Sequence, residues 1–164
     1  IGGGDTGSDC VGLSVRQGAK SILQIEIMPE PPAERSSSTP WPLWPYKQRT
    51  SSSQKEGGDR RWSLQTNKFI SENGKITGVE VQQVSWELTP DGRPVKFAPV
   101  PGTVEVIKAD LVFLAMGFLK PEHKYDAANV FVAGDAANGP SLVVRAMAHA
   151  KDIAQKAHDF LEAK

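Results

Sequence analysis

Three glycines at the amino end constrain this chain more than anything else in it. Ile1-Gly2-Gly3-Gly4-Asp5-Thr6-Gly7 fits the spacing G-x-G-x-x-G, with Gly2, Gly4 and Gly7 at the fixed places. In such a turn the first glycine allows a tight corner out of a strand. The second lets the backbone approach a pyrophosphate, and the third lets a helix pack close against its strand. The helix that follows aims free N–H groups and its positive dipole end at the phosphates. Asp5 and Thr6 stand at the helix start, where either can cap it and Thr6 can also donate to a phosphate. The motif needs a hydrophobic strand before it, and only Ile1 precedes it. The expectation is therefore a piece of a larger protein, entered in the middle of a strand–turn–helix unit.

From Asp5 to about Gln17 the pattern is helical: Cys10, Val11, Leu13, Ser14 and Val15 can share a packed side, and Gly18 sits where a C-terminal cap belongs. Ser21 to Ile27 reads as a strand. Turn, helix and strand make one βαβ unit with its first strand clipped. The character then changes. Six prolines between Pro29 and Pro45, and the Ser36-Ser37-Ser38 run, exclude a regular helix from Met28 to Arg61. Trp41, Trp44 and Tyr46 interrupt those prolines and favour an ordered loop whose aromatics pack onto its own domain.

Trp62 to Lys108 reads as a β meander. One strand is expected from Trp62 to Ile70 and a longer one through Ile76, Val79, Val81, Val84 and Trp86, joined at Asn73-Gly74. After a turn at Pro90-Asp91-Gly92, Val95 to Phe97 and Thr103 to Ile107 complete it. Ala109 to Gly117 is a near-continuous apolar run, expected as a buried parallel strand ending at a ligand-facing glycine. Asn129 to Asp135 is read as another short strand, and Ser141 to about Leu161 as a helix with apolar residues every three or four positions.

Composition narrows the function classes. Nineteen basic residues balance nineteen acidic ones among 164, so no basic excess argues for nucleic acid or an anionic membrane. No apolar run approaches a membrane span. The single cysteine, Cys10, excludes an internal disulfide or a multi-cysteine metal site within this chain, fits a reducing, cytoplasmic compartment, and is expected as a small core residue. His123, His149 and His158 have no ligand or triad spacing and read as ordinary positions. No metal site and no acid–base or nucleophilic constellation emerges.

Gly2 to Cys10, the strand end Glu26-Ile27-Met28-Pro29 and the segment Asn129 to Asp135 resemble the two-dinucleotide-domain flavoproteins. Within these, Pro40-Trp41-Pro42-Leu43-Trp44-Pro45, Arg49 to Ser53, Ala109 to Phe118, Gly134-Asp135 and Ser141 to Val144 are similar to the small (beta) subunit family of NADPH-dependent glutamate synthase. The resemblance implies an oxidoreductase in which hydride passes from NADPH to FAD. Electrons then pass through iron–sulfur clusters elsewhere in the full protein to a large subunit that makes glutamate. It implies an α/β fold: a Rossmann-like parallel sheet with a β-meander crossover and an incomplete FAD-domain tail. Residues 1–119 would be the NAD(P)H-binding domain, 120–128 a short connector and 129–164 the end of the FAD-binding domain. The chain departs from the family in that short connector, in Ala136-Ala137-Asn138 and Arg145 where arginines and a tryptophan are usual, and in Gln54 where histidine is usual.

The candidate cofactor-binding residues follow. Gly2, Gly3, Gly4, Asp5, Thr6 and Gly7 form the phosphate turn. Glu26, about twenty residues beyond, stands where an acidic group can take the ribose 2′-hydroxyl, although strand alternation can turn it away. A carboxylate there repels a 2′-phosphate. Arg35 is the main candidate to hold that phosphate, ahead of Arg16 and Arg49, and with the resemblance it favours NADPH over NADH. Gly117 is a candidate for close approach to the nicotinamide or ribose. Gly134, Asp135, Ser141 and Leu142 are candidates for FAD in the complete subunit, with Asp135 equally readable as a turn and helix cap. The aromatic–proline loop covers the nucleotide or docks the large subunit in two further readings. A related NADPH-dependent flavin or iron–sulfur oxidoreductase and a non-catalytic nucleotide-binding module also stay open; the aromatic–proline loop argues against the first.

Overall fold

A computed structural model describes residues 1–119, 121, 122 and 127–163. The chain divides into two compact units, Ile1–Met116 and Gly117–Lys164. Most of the 120–128 connector lies outside the described residues, as does His123.

The first unit begins with helix α1 (Asp5–Arg16), closed by Gly18 at φ +78°. Strand β1 (Leu23–Ile25) follows, shorter than the seven-residue strand expected. It pairs in parallel with β2 (Asp59–Arg61), Leu23 opposite Asp59 and Ile25 opposite Arg61. Between them runs the long proline-rich loop, ending in a single helical turn, α2 (Ser52–Lys55). Both α2 and β2 fall where the proline pattern suggested irregular chain alone. The signal for α2 is a reciprocal cap: the Ser51 hydroxyl accepts from Gln54 N at 3.1 Å, and the Gln54 side chain accepts from Ser51 N at 3.0 Å.

The meander forms as an antiparallel sheet. Its centre is β4 (Lys75–Leu88), flanked by β3 (Leu64–Glu72), β5 (Pro94–Pro99) and β6 (Glu105–Lys108). Asn73 and Gly74 join β3 to β4 with φ of +50° and +76°, both positive as the favoured two-residue hairpin turn requires. β6 pairs with the first half of β4 (Val79 opposite Ile107) and β5 with the second (Trp86 opposite Phe97). Ile25 of β1, Leu64 of β3, and Val79 and Val81 of β4 form the core, with Ile1, Leu23, Ile107, Ala109 and Val112 packed against them. Val81 is wholly buried. Trp86 ties the meander to the chain just beyond β1 by donating from Nε1 to the Ile27 carbonyl at 2.9 Å.

Two expected strands do not form. Along Ala109–Gly117 the backbone partners are scattered: Ala109 N donates to the Thr77 carbonyl at 3.2 Å, Ala115 N donates to the Ile1 carbonyl at 2.7 Å, and the Ile1 amine donates to the Phe113 carbonyl at 2.8 Å. Isolated bonds do not make a ladder, and Leu111, Phe113, Leu114 and Met116 stay exposed instead of buried. Asn129–Asp135, in the second unit, likewise forms no strand. Its Phe131 packs edge-on against Phe160, 5.6 Å between ring centres. The second unit consists of the turn α3 (Asp135–Asn138) and helix α4 (Val143–Glu162). No residue of α4 is buried, and Val143, Val144, Met147 and Leu161 are exposed. The architecture is mixed α/β with open parallel and antiparallel sheets, consistent with a Rossmann-like nucleotide-binding fragment. Its parallel part is two strands.

Candidate functional site

Successive residues of the β1 edge grip the glycine turn. The Gly2 N–H donates to the Ile25 carbonyl at 2.8 Å. The next peptide, between Gly2 and Gly3, is held at both ends. Gln24 Nε2 donates to its oxygen at 2.9 Å, and its N–H donates to Glu26 Oε2. Gln24 and Glu26 are two residues apart on an extended segment, so both side chains leave on the face opposite Ile25, which enters the core. Glu26 Oε1 also accepts from Met28 N at 3.1 Å. Alternation thus turns Glu26 toward the turn, not away from it.

The three fingerprint glycines do different physical work. Gly2 has φ +122°, and a side chain there would run into the Ala115 carbonyl. Gly7 has no room because a Cβ would meet the Gly2 carbonyl and lie 2.8 Å from Gln24 Nε2. Gly4 has nothing within 4 Å of its Cβ position. It is also the N-terminal cap of α1, with φ −80° and no side-chain cap bond. Neither Asp5 nor Thr6 caps the helix as expected, because both already lie within its first turn. The uncapped N–H groups and the open side of Gly4 form a cradle for an anionic group, to which a helix N-terminus adds positive potential.

Behind this cradle lies a polar network. Gln54 Nε2 donates to Gln24 Oε1 at 2.8 Å, and the Ser51 hydroxyl bonds that of Ser8 in α1. α2 seats close on α1 at Gly12, whose Cβ would lie 2.8 Å from Ser53 Cβ. Cys10 is half-buried rather than in the core, since α1 buries Gly7, Ser8, Val11 and Gly12.

The candidate cations are engaged within the chain. Arg35 Nη1 donates to the Thr39 and Leu43 carbonyls at 2.9 and 3.0 Å, which closes the proline-rich loop. Arg16 pairs with Glu56, and the Arg49 guanidinium lies 4.1 Å over the Trp44 ring. The loop is held by polar bonds, including Tyr46 N to Thr39 Oγ1 at 2.8 Å, and by the Arg49–Trp44 contact. Trp41 and Trp44 are 83% and 78% exposed, contrary to the expected self-packing. Arg61 of β2 donates to Glu105 of β6 and holds that carboxyl below the usual carboxylate range.

In the second unit, Gly117 has φ +91° and open space at its Cβ position. Gly134 (φ +60°) donates its N–H to His149 Nδ1 at 3.1 Å, and Ser141 Oγ donates to Asp135 Oδ1 at 2.8 Å. The structure therefore brings Asp135 and Ser141 together and gives His149, read as an ordinary helix position, a bracing contact. No side chain caps α4, so Asp135 has no capping bond there. Leu142 is exposed at the start of that helix. Among the described residues, no cluster suited to a metal ion occurs, and no helix is long and apolar enough to cross a membrane.

No protein-family model matches the chain. Its sequence is 39% identical over 98% of its length to the glutamate synthase [NADPH] small chain of Mycobacterium tuberculosis, of which it covers 36%. It is 34% identical over 98% to that of Bacillus subtilis, covering 38%. To glutamate synthase [NADH] of Saccharomyces cerevisiae it is 32% identical over 98%, covering 9%. The chain thus spans little more than a third of the small chains it matches.

Proposed function

We propose that this chain, similar in sequence to the glutamate synthase small chains, holds the reduced nicotinamide dinucleotide of such an oxidoreductase. The diphosphate lies against Gly2–Gly7 and the first turn of α1. Arg35 is the candidate for the 2′-phosphate of NADPH. The nicotinamide supplies hydride to FAD, for which Gly134, Asp135, Ser141 and Leu142 are this chain's candidate contacts in the complete protein. Gly117 is the candidate for close approach to the nicotinamide side. Electrons pass on through iron–sulfur clusters outside this chain to a large-subunit partner in the cytoplasm, where glutamate is made. Residues 1–119 are the nucleotide domain and 129–164 the end of the FAD domain in this reading.

The open side of Gly4 carries the proposal. Its dihedral angles suit any residue and nothing lies within 4 Å of its Cβ position, so no packing reason demands glycine there. Approach by a ligand does demand it. Gly4→Val should lower the unfolding midpoint only slightly, because valine is a poorer helix N-cap than glycine, and reduce NADPH affinity at least a hundredfold by calorimetry. Unchanged affinity in a folded variant rejects the placement.

A second reading, NADH as the donor, is favoured by the Glu26 carboxylate at the turn. Its charge repels a 2′-phosphate and its oxygens suit a 2′-hydroxyl. Glu26→Gln should then shift the NADPH-to-NADH affinity ratio about tenfold toward NADPH. An unmoved ratio rejects NADH selection by this residue.

A further inference from the structure

We propose that Gln24, held by Gln54, is a positioning residue for the nucleotide turn, and that α2 is thereby part of the binding machinery. The inference rests on the reading of the Gly2–Gly7 turn as the diphosphate site.

Gln24 is 5% exposed, and both ends of its amide are used. The chain of donors runs one way: Ser51 N to Gln54 Oε1, Gln54 Nε2 to Gln24 Oε1, Gln24 Nε2 to Gly2 O. Its ends fix its direction. The Ser51 N–H can only donate and the Gly2 carbonyl can only accept, so each amide between them has one satisfactory orientation. Such a directed chain strengthens each member by polarisation. Few side chains can replace Gln24, which must accept at one end and donate at the other.

The clamped peptide is the one that most needs clamping. Gly2 has φ +122°, and a glycine hinge is free to rotate the following peptide plane. Gln24 draws the Gly2 oxygen inward, and Glu26 takes the N–H of the same peptide. If Gln24 lets go, the plane can rotate and turn a carbonyl oxygen toward the cradle, where it repels a diphosphate. The third fingerprint glycine belongs to this device, since a side chain at Gly7 would occupy the space where Gln24 meets Gly2. Gln54 anchors the amide from α2, and α2 itself is fixed on α1 through Ser51–Ser8 and Ser53–Asp9.

The test uses the complete small chain, with NADPH and NADH as probes. Gln24→Leu keeps volume and removes both bonds; Gln24→Glu keeps the acceptor and loses the donor at neutral pH. Each should raise the KM for the nucleotide about tenfold, leave kcat within twofold, and speed hydrogen exchange at the Gly3 amide without nucleotide. Gln54→Leu should raise KM about threefold, and Gln54→His should restore it, because imidazole carries one N–H and one bare nitrogen. Loss confined to thermal stability, with KM unchanged, assigns Gln24 a structural role only and overturns the proposal. Failure of Gln54→His to improve on Gln54→Leu overturns the relay through α2. If the unaltered protein binds neither nucleotide, the site reading itself fails and this proposal with it; if it binds and Gln24→Leu binds equally, this proposal alone fails.

Discussion

Two glycine-centred corners of this chain, Gly2–Gly7 and Gly134–Ser141, are supported in opposite ways. The first is gripped by a neighbouring strand: Gln24, Ile25 and Glu26 each take one group of the turn, while the opposite face of β1 enters the core. The second is held by its own short loop and one helix, through Ser141 to Asp135 and Gly134 to His149. The first corner lies in a unit with a buried core. The second adjoins a helix without one buried residue. A binding corner keeps its shape by what lies behind it, and only the first has a layered support of strand, helix and buried amides.

Replacing one glycine in each corner sharpens the contrast. Gly7→Ala forces a Cβ into the Gly2 carbonyl and the Gln24 amide, with backbone on one side and a fully bonded amide on the other. Overpacking of this kind should cost about 3 kcal/mol. Gly134→Ala meets only Ala146, at 3.5 Å, and its cost of about 1.5 kcal/mol comes from the backbone conformation alone (φ +60°, ψ −138°). The two effects are separable by spectroscopy. All four tryptophans lie at or before Trp86, within the first unit, and fluorescence in urea reports that unit. The 20-residue α4 contributes strongly to the helical circular dichroism. Gly7→Ala should lower the fluorescence midpoint, and Gly134→Ala should lower the dichroism midpoint alone. Equal shifts in both signals would erase the distinction between the corners.

The parts that were legible in the sequence are those whose causes are local. The hairpin at Asn73-Gly74 follows from two residues that tolerate positive φ, and α1 from apolar spacing ended by Gly18. The Ser51-to-Gln54 capping signal was present too, but the surrounding prolines and serines hid it. Strands at Ala109–Gly117 and Asn129–Asp135 were expected because apolar runs suggest burial. A strand, however, belongs to a pair, and the missing partners are not written in the run itself. Conversely, Asp59–Arg61 carries three charged residues and is a strand because β1 lies beside it. At the candidate site, the glycine spacing and Glu26 were legible. Gln24 and Gln54 were not, since a buried amide has no periodic signature; its one clue is that Gln24 shares strand parity with Glu26. His149 gave no signal, because its partner is a backbone N–H fifteen residues away.

Charge separates the two units as well, with the smallest expected effect. Among the described residues, the ion pairs Arg16–Glu56, Arg61–Glu105, Lys68–Glu80 and Arg93–Asp91 all lie in the first unit. Arg61–Glu105 is the informative one, because it joins the end of β2 to β6. The Arg61 hydrogen bond, ahead of charge attraction, lowers the Glu105 pKa in the folded state. A carboxyl depressed in this way stabilises the fold above its unfolded value of about 4.3, and the contribution is lost as pH falls through the lower folded value. Both side chains are more than a third exposed, so solvent screening limits the pair to about 0.5 kcal/mol. Glu105→Gln should therefore lower the fluorescence midpoint slightly at pH 7, and the deficit should close as the pH falls below 4. Added salt should shrink it at pH 7, and the α4 dichroism midpoint should not move. A deficit that persists undiminished in acid would mean that Glu105 contributes by packing rather than by charge, and the proposed electrostatic difference between the two units would lose its clearest member.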